Sequence, residues 1–290
     1  MSSGAGVLAV VGTPIGNLED ISRRAVRTLS EADVIFCEDT RRTRKLLSAL
    51  GLRAPRLVRL DANNETSMTA AVVAALDAGS RAALVTDAGM PAVSDPGARV
   101  VAAVAAAGHL TEVVPGPSAV SAALALSGLP GTQYRFAGFL PRKGRERARV
   151  VADLAASPVT VVIYEAANRV AATVADLTGA CGPDRSFVAA RELTKIHEEV
   201  WRGTLGAAGD WLDAAGELRG EWVLLLGAAP EAQPPGAGET AERIRDELVA
   251  RLRAGADRKQ AVAEVATVLR LPKRQVYDVA LGLKDGPGKS

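Results

Sequence analysis

Short apolar runs alternate with stretches of helical periodicity from residue 7 to residue 127, and that alternation narrows the possible folds more than any other property of the chain. The strand-like runs fall at 7–11, 34–37, 56–60, 82–86 and 110–114, with helical patterns near 22–31, 41–50, 65–78, 98–107 and 119–127. Parallel strands need a crossover between them, and a helix is the usual one. The series therefore predicts a mainly parallel sheet with helices on both faces. Asn64 is expected to cap the third helix, and Gly79 and Gly108 to end the third and fourth.

After Gly128-Leu129-Pro130-Gly131 the pattern changes. Strands are predicted at 135–139, 159–165, 186–191, 198–203 and 221–226, mixed with helices near 146–156, 170–178 and 207–215. The run at 198–204 follows its predecessor after a short polar turn, which predicts a hairpin and hence a mixed sheet. Residues 228–239, with Pro230, Pro234 and Pro235, read as a linker. Three helical segments follow, at 240–253, 258–269 and 273–283. Asp257 can cap the second, and Leu271-Pro272 breaks the chain before the third.

The expected class is α/β, with two α/β domains (1–129 and 130–229), a linker at 230–239 and a small helical, helix-turn-helix-like domain at 240–285. In that tail Arg251, Arg253, Arg258, Lys259, Arg270, Lys273 and Arg274 fit either the solvated face of a bundle or a nucleic-acid contact.

Composition removes several function classes. The formal net charge of the 290 residues is +2, so any attraction to nucleic acid has to come from local patches. Two separated cysteines, Cys37 and Cys181, exclude a disulfide framework and a cysteine-based zinc site. The two histidines are too few for a histidine-cluster metal site, and no metal is expected. His109 reads as a surface residue, whereas His197, beside Glu198 and Glu199, fits a surface or a functional role. No apolar run approaches the ~20 residues that span a bilayer, and no secretory signal precedes Val7. A cytoplasmic enzyme or binding protein is the expectation, with acid–base work falling to carboxylates, lysine or tyrosine.

Three strand-end loops stand out. The first, Thr13-Pro14-Ile15-Gly16-Asn17-Leu18, has neither the GxGxxG spacing of a dinucleotide fold nor the closing Lys-Ser/Thr of a phosphate loop, and Pro14 lacks an N–H. The second is the segment from Thr86 to Gly97, and the third is Pro115-Gly116-Pro117-Ser118-Ala119. In an open parallel sheet ligands bind beyond the carboxyl ends of the strands, so the three loops should converge on one crevice. Glycine there lets backbone approach a ligand closely, proline stiffens the loops, and Asp87 and Ser118 offer polar handles. A fourth loop, Glu38-Asp39-Thr40-Arg41-Arg42, fits either a helix cap with surface charges or a pair of substrate-facing carboxylates.

Eight segments in order, TPIGNL, CEDTRRT, TDAGMPAVSDPG, VPGPSA, GFLPRKG, YEAANR, ARELTK and RGEWVLL, resemble the tetrapyrrole methylase superfamily of S-adenosylmethionine-dependent methyltransferases. The resemblance extends over nearly the whole chain, tail included. Within the superfamily it is to members that methylate the ribose 2′-oxygen of a cytidine in the decoding region of 16S ribosomal RNA. The chain departs from their pattern at Met90, where Thr is usual, at Asn168, where His is common, and at 61–65, where a His-containing HDHNE segment is typical. Glu65 is the residue of that last motif still present.

The resemblance implies a cofactor crevice between the two α/β domains, holding S-adenosylmethionine largely by backbone groups. Thr86, Asp87, Ala88, Gly89, Pro91, Ala92 and Val93 would line one side, with Pro14, Ser118 and Ala119 from neighbouring strand ends. Tyr164, Ala190, Arg191 and Glu221 would close it from the second domain. Asp39, Glu38 and Glu65 are the candidates for taking the ribose proton, with Lys195 a fourth if burial lowers its pKa. Asn17 and Arg41 would position the ribose or an adjacent phosphate.

Arg142, Lys143 and Arg145, in a run with Arg147 and Arg149, fit an RNA contact or a solvated helix start; Arg258, Lys259, Lys273 and Arg274 would add to the RNA contact. Partners implied are 16S rRNA or the small ribosomal subunit, and a second copy of the chain. Trp201 and Trp222 could serve that dimer or the core. Two competing readings are a methyltransferase of a small tetrapyrrole, which needs neither the basic segment nor the helical tail, and a non-catalytic rRNA-binding assembly factor, which needs no cofactor loops.

Overall fold

A computed structural model describes residues 6–230, 237–269 and 271–283. They form two compact units, Met1–Ala229 and Pro230–Ser290. The first unit opens with β1 (Val7–Val11), α1 (Arg23–Glu31), β2 (Val34–Cys37), α2 (Thr40–Ala49) and β3 (Arg56–Arg59). It continues with α3 (Glu65–Asp77), β4 (Arg81–Val85), α4 (Ala98–Ala106), β5 (Leu110–Val114) and α5 (Ala119–Ser127). The five strands make one wholly parallel sheet in the order β3-β2-β4-β1-β5.

Both faces of that sheet are buried, and alternate residues serve opposite sides. Leu8, Phe36 and Leu84 pack with Val72, Leu76, Val100 and Val104 of α3 and α4. Ala9, Val11, Ile35 and Val85 pack with Ala25, Leu29 and Leu47 of α1 and α2. Asn64 occupies the N-cap position of α3 but makes no capping bond. Its Oδ1 accepts instead from the Asp61 N–H, and Asp61 Oδ1 accepts from the N–H groups of Asn63 and Asn64, so an Asx turn, not a cap, sets the start of α3. Gly79 and Gly108 sit just past the third and fourth helices at φ +81°, where a residue with a Cβ is strained.

The second sheet is built from β6 (Tyr134–Phe139), β7 (Thr160–Ala166), β8 (Ser186–Arg191), β9 (Glu199–Thr204) and β10 (Glu221–Leu226), in the order β6-β7-β10-β8-β9. Only β6 and β7 run parallel; β8 and β9 form the expected hairpin. Helices α6 (Gly144–Ala155), α7 (Val170–Cys181) and α8 (Leu205–Ala215) cover one face, through Leu154, Leu177 and Leu205 against Val161, Ile163, Phe187 and Leu224. The opposite face receives α5, whose Val120 and Ala123 meet Val162, Val188, Ala190 and Val223. Helix α5 therefore belongs by sequence to the first sheet and by packing to the second.

Trp222 is buried, and the half-buried Trp201 stacks on Trp211 at 5.1 Å in the same core. The apolar rings are consumed by packing between the sheet and α8.

The second unit contains α9 (Ala237–Arg253), α10 (Arg258–Leu269) and α11 (Lys273–Leu281), packed around Ile244, Leu248, Val265 and Val276. Helix α9 starts three residues before the expected boundary at 240. Asp257 Oδ1 accepts from Gln260 N–H, as its capping role required. Arg270, residues 231–236 of the expected linker and residues 284–285 of the expected helical domain lie outside the described residues. Among the described residues no helix is long and apolar enough to cross a membrane.

Candidate functional site

The three strand-end loops meet at the carboxyl edge of the parallel sheet. Thr13 N–H donates to the Gly89 carbonyl at 2.9 Å, and Gly89 N–H donates back to Thr13 at 3.1 Å. Gly12 N–H donates to the Val114 carbonyl at 3.0 Å. The approach is so close that a Cβ on Gly116 would lie 2.8 Å from the Cα and carbonyl carbon of Gly12, and one on Gly12 would lie 2.6 Å from Met90 Sδ. Glycine is required at both positions because backbone meets backbone. In the second loop two residues with side chains, Ala92 and Ser94, hold φ of 68° and 64°, strain of the sort that collects at ligand sites.

Beside this junction lies a cavity of about 400 Å³, within the range of small-molecule sites. The first sheet's loops contribute Ile15, Ala88, Gly89, Met90, Val93, Ser94, Asp95, Ser118 and Ala119. The second sheet contributes Phe139, Tyr164, Glu165, Ala166, Ala167, Leu193 and the segment from Gly220 to Val223. Of the residues expected to hold a cofactor, Ala88, Gly89, Val93, Ser118, Ala119, Tyr164 and Glu221 thus line one cavity.

The others stand off it. Thr86 is buried beneath the loop, Pro91 is buried, and Ala92 is exposed with its N–H donating to Pro96. Pro14 is half-buried just before Ile15. Ala190 is in the core against α5, and Arg191 pairs with Glu199 and lies over the Trp222 ring.

The expected proton acceptors turn out to have other partners. Asp39 caps α2, accepting from the N–H groups of Arg41 and Arg42, and pairs with the exposed Arg41 guanidinium at 3.2 Å. The hydrogen bonds from Arg41 hold its pKa down at about 2, which makes it a poor base. Glu65 Oε1 accepts from Gly97 N–H at 2.8 Å and Arg99 N–H at 3.1 Å, tying α3 to the start of α4. Lys195 corrects the expectation of a lowered pKa. Burial does push it down, but hydrogen bonds at 2.8 Å to Glu192 and Glu221 outweigh that and raise it. An ammonium held by two carboxylates cannot serve as a base.

Glu38 does not line the cavity, and its Oε2 accepts from Thr86 Oγ1 at 3.0 Å. Asp87 pairs with Arg42 at 3.2 Å, and its buried Oδ1 has no hydrogen-bond partner; burial and Glu38 raise its pKa. Asp95 is pushed up to about 6, by burial first, then by Glu38 and Asp87. The Tyr164 hydroxyl is driven to about 12 by burial and by Asp95, and its ring meets Phe136 and Phe139 edge-on at 4.8 and 5.6 Å. Sequence reasoning misses Asp95, a carboxylate of the second loop that stands between Ser94 and Pro96 with Arg99 four positions on.

A second recess, of about 490 Å³, lies where the first loop meets the β8–β9 turn; it is lined by Gly16, Asn17, Leu18, Glu192, Thr194, Lys195, Ile196 and His197. Asn17 N–H donates to Thr194 Oγ1 at 3.1 Å, while its Oδ1 caps a short 3-10 turn at Glu19. The turn is itself strained, with Glu192 and Thr194 at φ 50° and 65°. The Lys195–Glu221 ion pair joins this recess to the first cavity.

The basic run divides. Arg142, Lys143 and Arg145 are exposed at the start of α6 and make no ion pair among the described residues. Arg147, counted with them from sequence, is buried. It donates to Asp176 at 2.7 Å, to Thr173 at 2.9 Å and to the Pro141 carbonyl at 3.1 Å. Arg169 donates to the Leu140 carbonyl at 2.8 Å and pairs with Glu165. Two arginines thus clamp the turn that presents the exposed three. In the second unit Lys259, Lys273 and Arg274 are exposed, while Arg258 is half-buried and donates to the Leu283 carbonyl at 3.3 Å.

Residues 7–209 match the family described as Tetrapyrrole (Corrin/Porphyrin) Methylases. The Synechocystis sp. protein named Ribosomal RNA small subunit methyltransferase I is 42% identical over 280 residues, spanning 96% of this chain and 99% of its own. The Mycobacterium tuberculosis protein of the same name is 42% identical over 284 residues, with 97% and 96% covered. Among solved structures, the uroporphyrin-III C-methyl transferase of Thermus thermophilus, complexed with S-adenyl homocysteine, shares the fold at a TM-score of 0.54 and 21% identity, over 77% of this chain and 97% of its own.

Proposed function

The chain belongs to the tetrapyrrole methylase family, and from that premise we propose that it transfers a methyl group from S-adenosylmethionine to the ribose 2′-oxygen of a decoding-region cytidine in 16S ribosomal RNA. The observation that carries this reading is the 42% identity to a ribosomal RNA small subunit methyltransferase along almost the full length of both chains, helical tail included. A small tetrapyrrole substrate would leave the tail and the exposed basic turn without a purpose.

The site suits the donor. Backbone of Ala88 and Gly89, the start of α5 at Ser118 and Ala119, and the apolar walls of Ile15, Val93, Leu193 and Val223 would hold the nucleoside and the methionine chain. The close Gly12–Gly116 contact keeps side chains out of that cradle. The sulfonium, when bound, supplies an already activated methyl group. What remains for the protein is alignment of the ribose oxygen, which is worth roughly 7–11 kcal/mol of barrier. Asn17, beside the second recess, and the exposed Arg41 would position the ribose or an adjacent phosphate.

Arg142, Lys143 and Arg145 would grip RNA backbone beside the cavity, with Lys259, Lys273 and Arg274 of the second unit adding contacts. Replacing the first three by alanine is expected to flatten the plot of log affinity for single-stranded rRNA against log salt by about 2. Donor binding should be unchanged; filter binding across salt concentrations and calorimetry read the two. A substrate of this kind places the reaction in the cytoplasm, and homodimerisation enters through the family likeness alone.

Ribose-methylation mapping of 16S rRNA from a strain lacking this gene is the direct test. Loss of the methyl at one decoding-region cytidine, restored by the plasmid-borne gene, is expected. Unchanged methylation there sinks the assignment.

A further inference from the structure

The proposed reaction releases a proton, and none of Glu38, Asp39 and Glu65 lines the cavity where it would be taken up. Four titratable side chains line the cavity beside the loop junction: Asp95, Tyr164, Glu165 and Glu221. Glu165 has its oxygens occupied by Thr173 at 2.6 Å, by Ala166 N–H at 3.0 Å and by Arg169 at 3.3 Å. Glu221 is bound to the Lys195 ammonium at 2.8 Å. Tyr164 stays protonated at neutral pH. Asp95 alone among these carboxylates has no cationic partner among the described residues; the Thr86 hydroxyl beside it donates to Glu38.

We infer that Asp95 is the proton acceptor of the methyl transfer, a role that rests on the functional reading above. As the 2′-oxygen forms its bond to the methyl carbon and the carbon–sulfur bond breaks, the hydroxyl proton passes to an Asp95 carboxylate oxygen, and the sulfur leaves as the neutral thioether. Asp95 then returns the proton to water.

The surroundings suit that task. Glu38 at the end of β2 and Asp87 after β4 face Asp95 with negative charge, while Arg42 is engaged by Asp87 at 3.2 Å. On the side of β7 the facing group is the Tyr164 hydroxyl. Like charges and burial favour the protonated form, so the carboxylate is more basic than an exposed aspartate and still ionised at neutral pH. Ala92 and Ser94, just before Asp95, are in left-handed conformations, and Ser94 Oγ would lie 3.1 Å from a Cβ placed on Gly138 of β6, so the loop runs close against the second sheet.

The experiment compares the full chain with Asp95→Asn and Asp95→Glu. Three things are read: donor affinity by calorimetry, single-turnover methylation of a 16S rRNA fragment from pH 5 to 9, and the carboxyl ¹³C shift of Asp95 in the ligand-free protein. Donor affinity within about threefold of wild type is expected for both variants. Asp95→Asn should lower the rate by about 10²–10⁴-fold, the range of a positioned base, and should lose the acid limb of the profile. The sign follows from the role. Protonation silences the acceptor, so wild-type activity falls as pH drops through about 6, and the ¹³C signal titrates in the same range. Asp95→Glu should keep an acid limb.

Asp95→Asn with wild-type rate, or with its acid limb intact, overturns the inference. So does a matching loss of donor affinity, since Asp95 would then be holding the donor. If Asp95→Asn does not fold, Asp95→Glu decides: an acid limb that moves supports the role, and one that stays put refutes it. A wild-type protein that leaves the rRNA unmethylated brings down the functional reading and this inference together, a result separable from failure of the variants.

Discussion

Gly116→Ala is expected to weaken S-adenosylmethionine binding at least about 100-fold, roughly 2.8 kcal/mol. The added methyl would sit 2.8 Å from the Cα and carbonyl carbon of Gly12, and both are backbone at the end of β1, a central strand. A side chain can turn aside from such a contact, but a strand end cannot. Relief requires the Pro115–Ala119 loop to back away, and that loop carries Ser118 and Ala119 of the cavity wall. Gly131→Ala is the matched control: a Cβ there meets nothing within 4 Å. Calorimetric titration with the donor distinguishes the two, and equal affinities for both variants would mean that the loop junction does not shape the cradle.

Glu165→Ala should have the largest effect on stability. The side chain is fully buried, and removing it leaves Arg169 without its ion-pair partner and the Thr173 hydroxyl without its acceptor. Breaking a buried pair from one side costs about 3–5 kcal/mol. For a unit of this size that corresponds to a fall in Tm of roughly 6–20 °C. The loss should reach the RNA contact as well, because Arg169 and Arg147 share this network and hold the Leu140–Pro141 turn beneath Arg142 and Lys143. Glu165→Gln retains an acceptor for Thr173 and should be milder. Thermal melts followed by circular dichroism read both; a Glu165→Ala midpoint within a degree or two of wild type would show that the network is dispensable.

Much of the fold was legible along the chain because its signals are local. Val7–Val11, Val34–Cys37 and Leu110–Val114 were readable to the residue as apolar runs ending at turn residues, and the β8–β9 hairpin followed from one short polar turn. The convergence of the three loops also followed, from the rule that parallel strands present their carboxyl ends on one edge. Misreadings arose wherever a residue's role depends on a partner distant in sequence. Arg147 looks like one more surface cation until Asp176 and Thr173, 29 and 26 positions later, enclose it. Lys195 looks free to lose its proton until Glu221 arrives from β10. Glu65 looks catalytic until the N–H groups of Gly97 and Arg99, more than thirty positions on, occupy its Oε1.

The sequence alone determined the alternation of strands and helices, the glycine and proline punctuation of the three loops and the family likeness, since each of these is written in contiguous residues. The tertiary structure decided which carboxylate faces the cavity without a counter-ion. Charge and basicity at such a site are sums over neighbours, and the neighbours of Asp95 come from β2, β4 and β7, which only folding brings together.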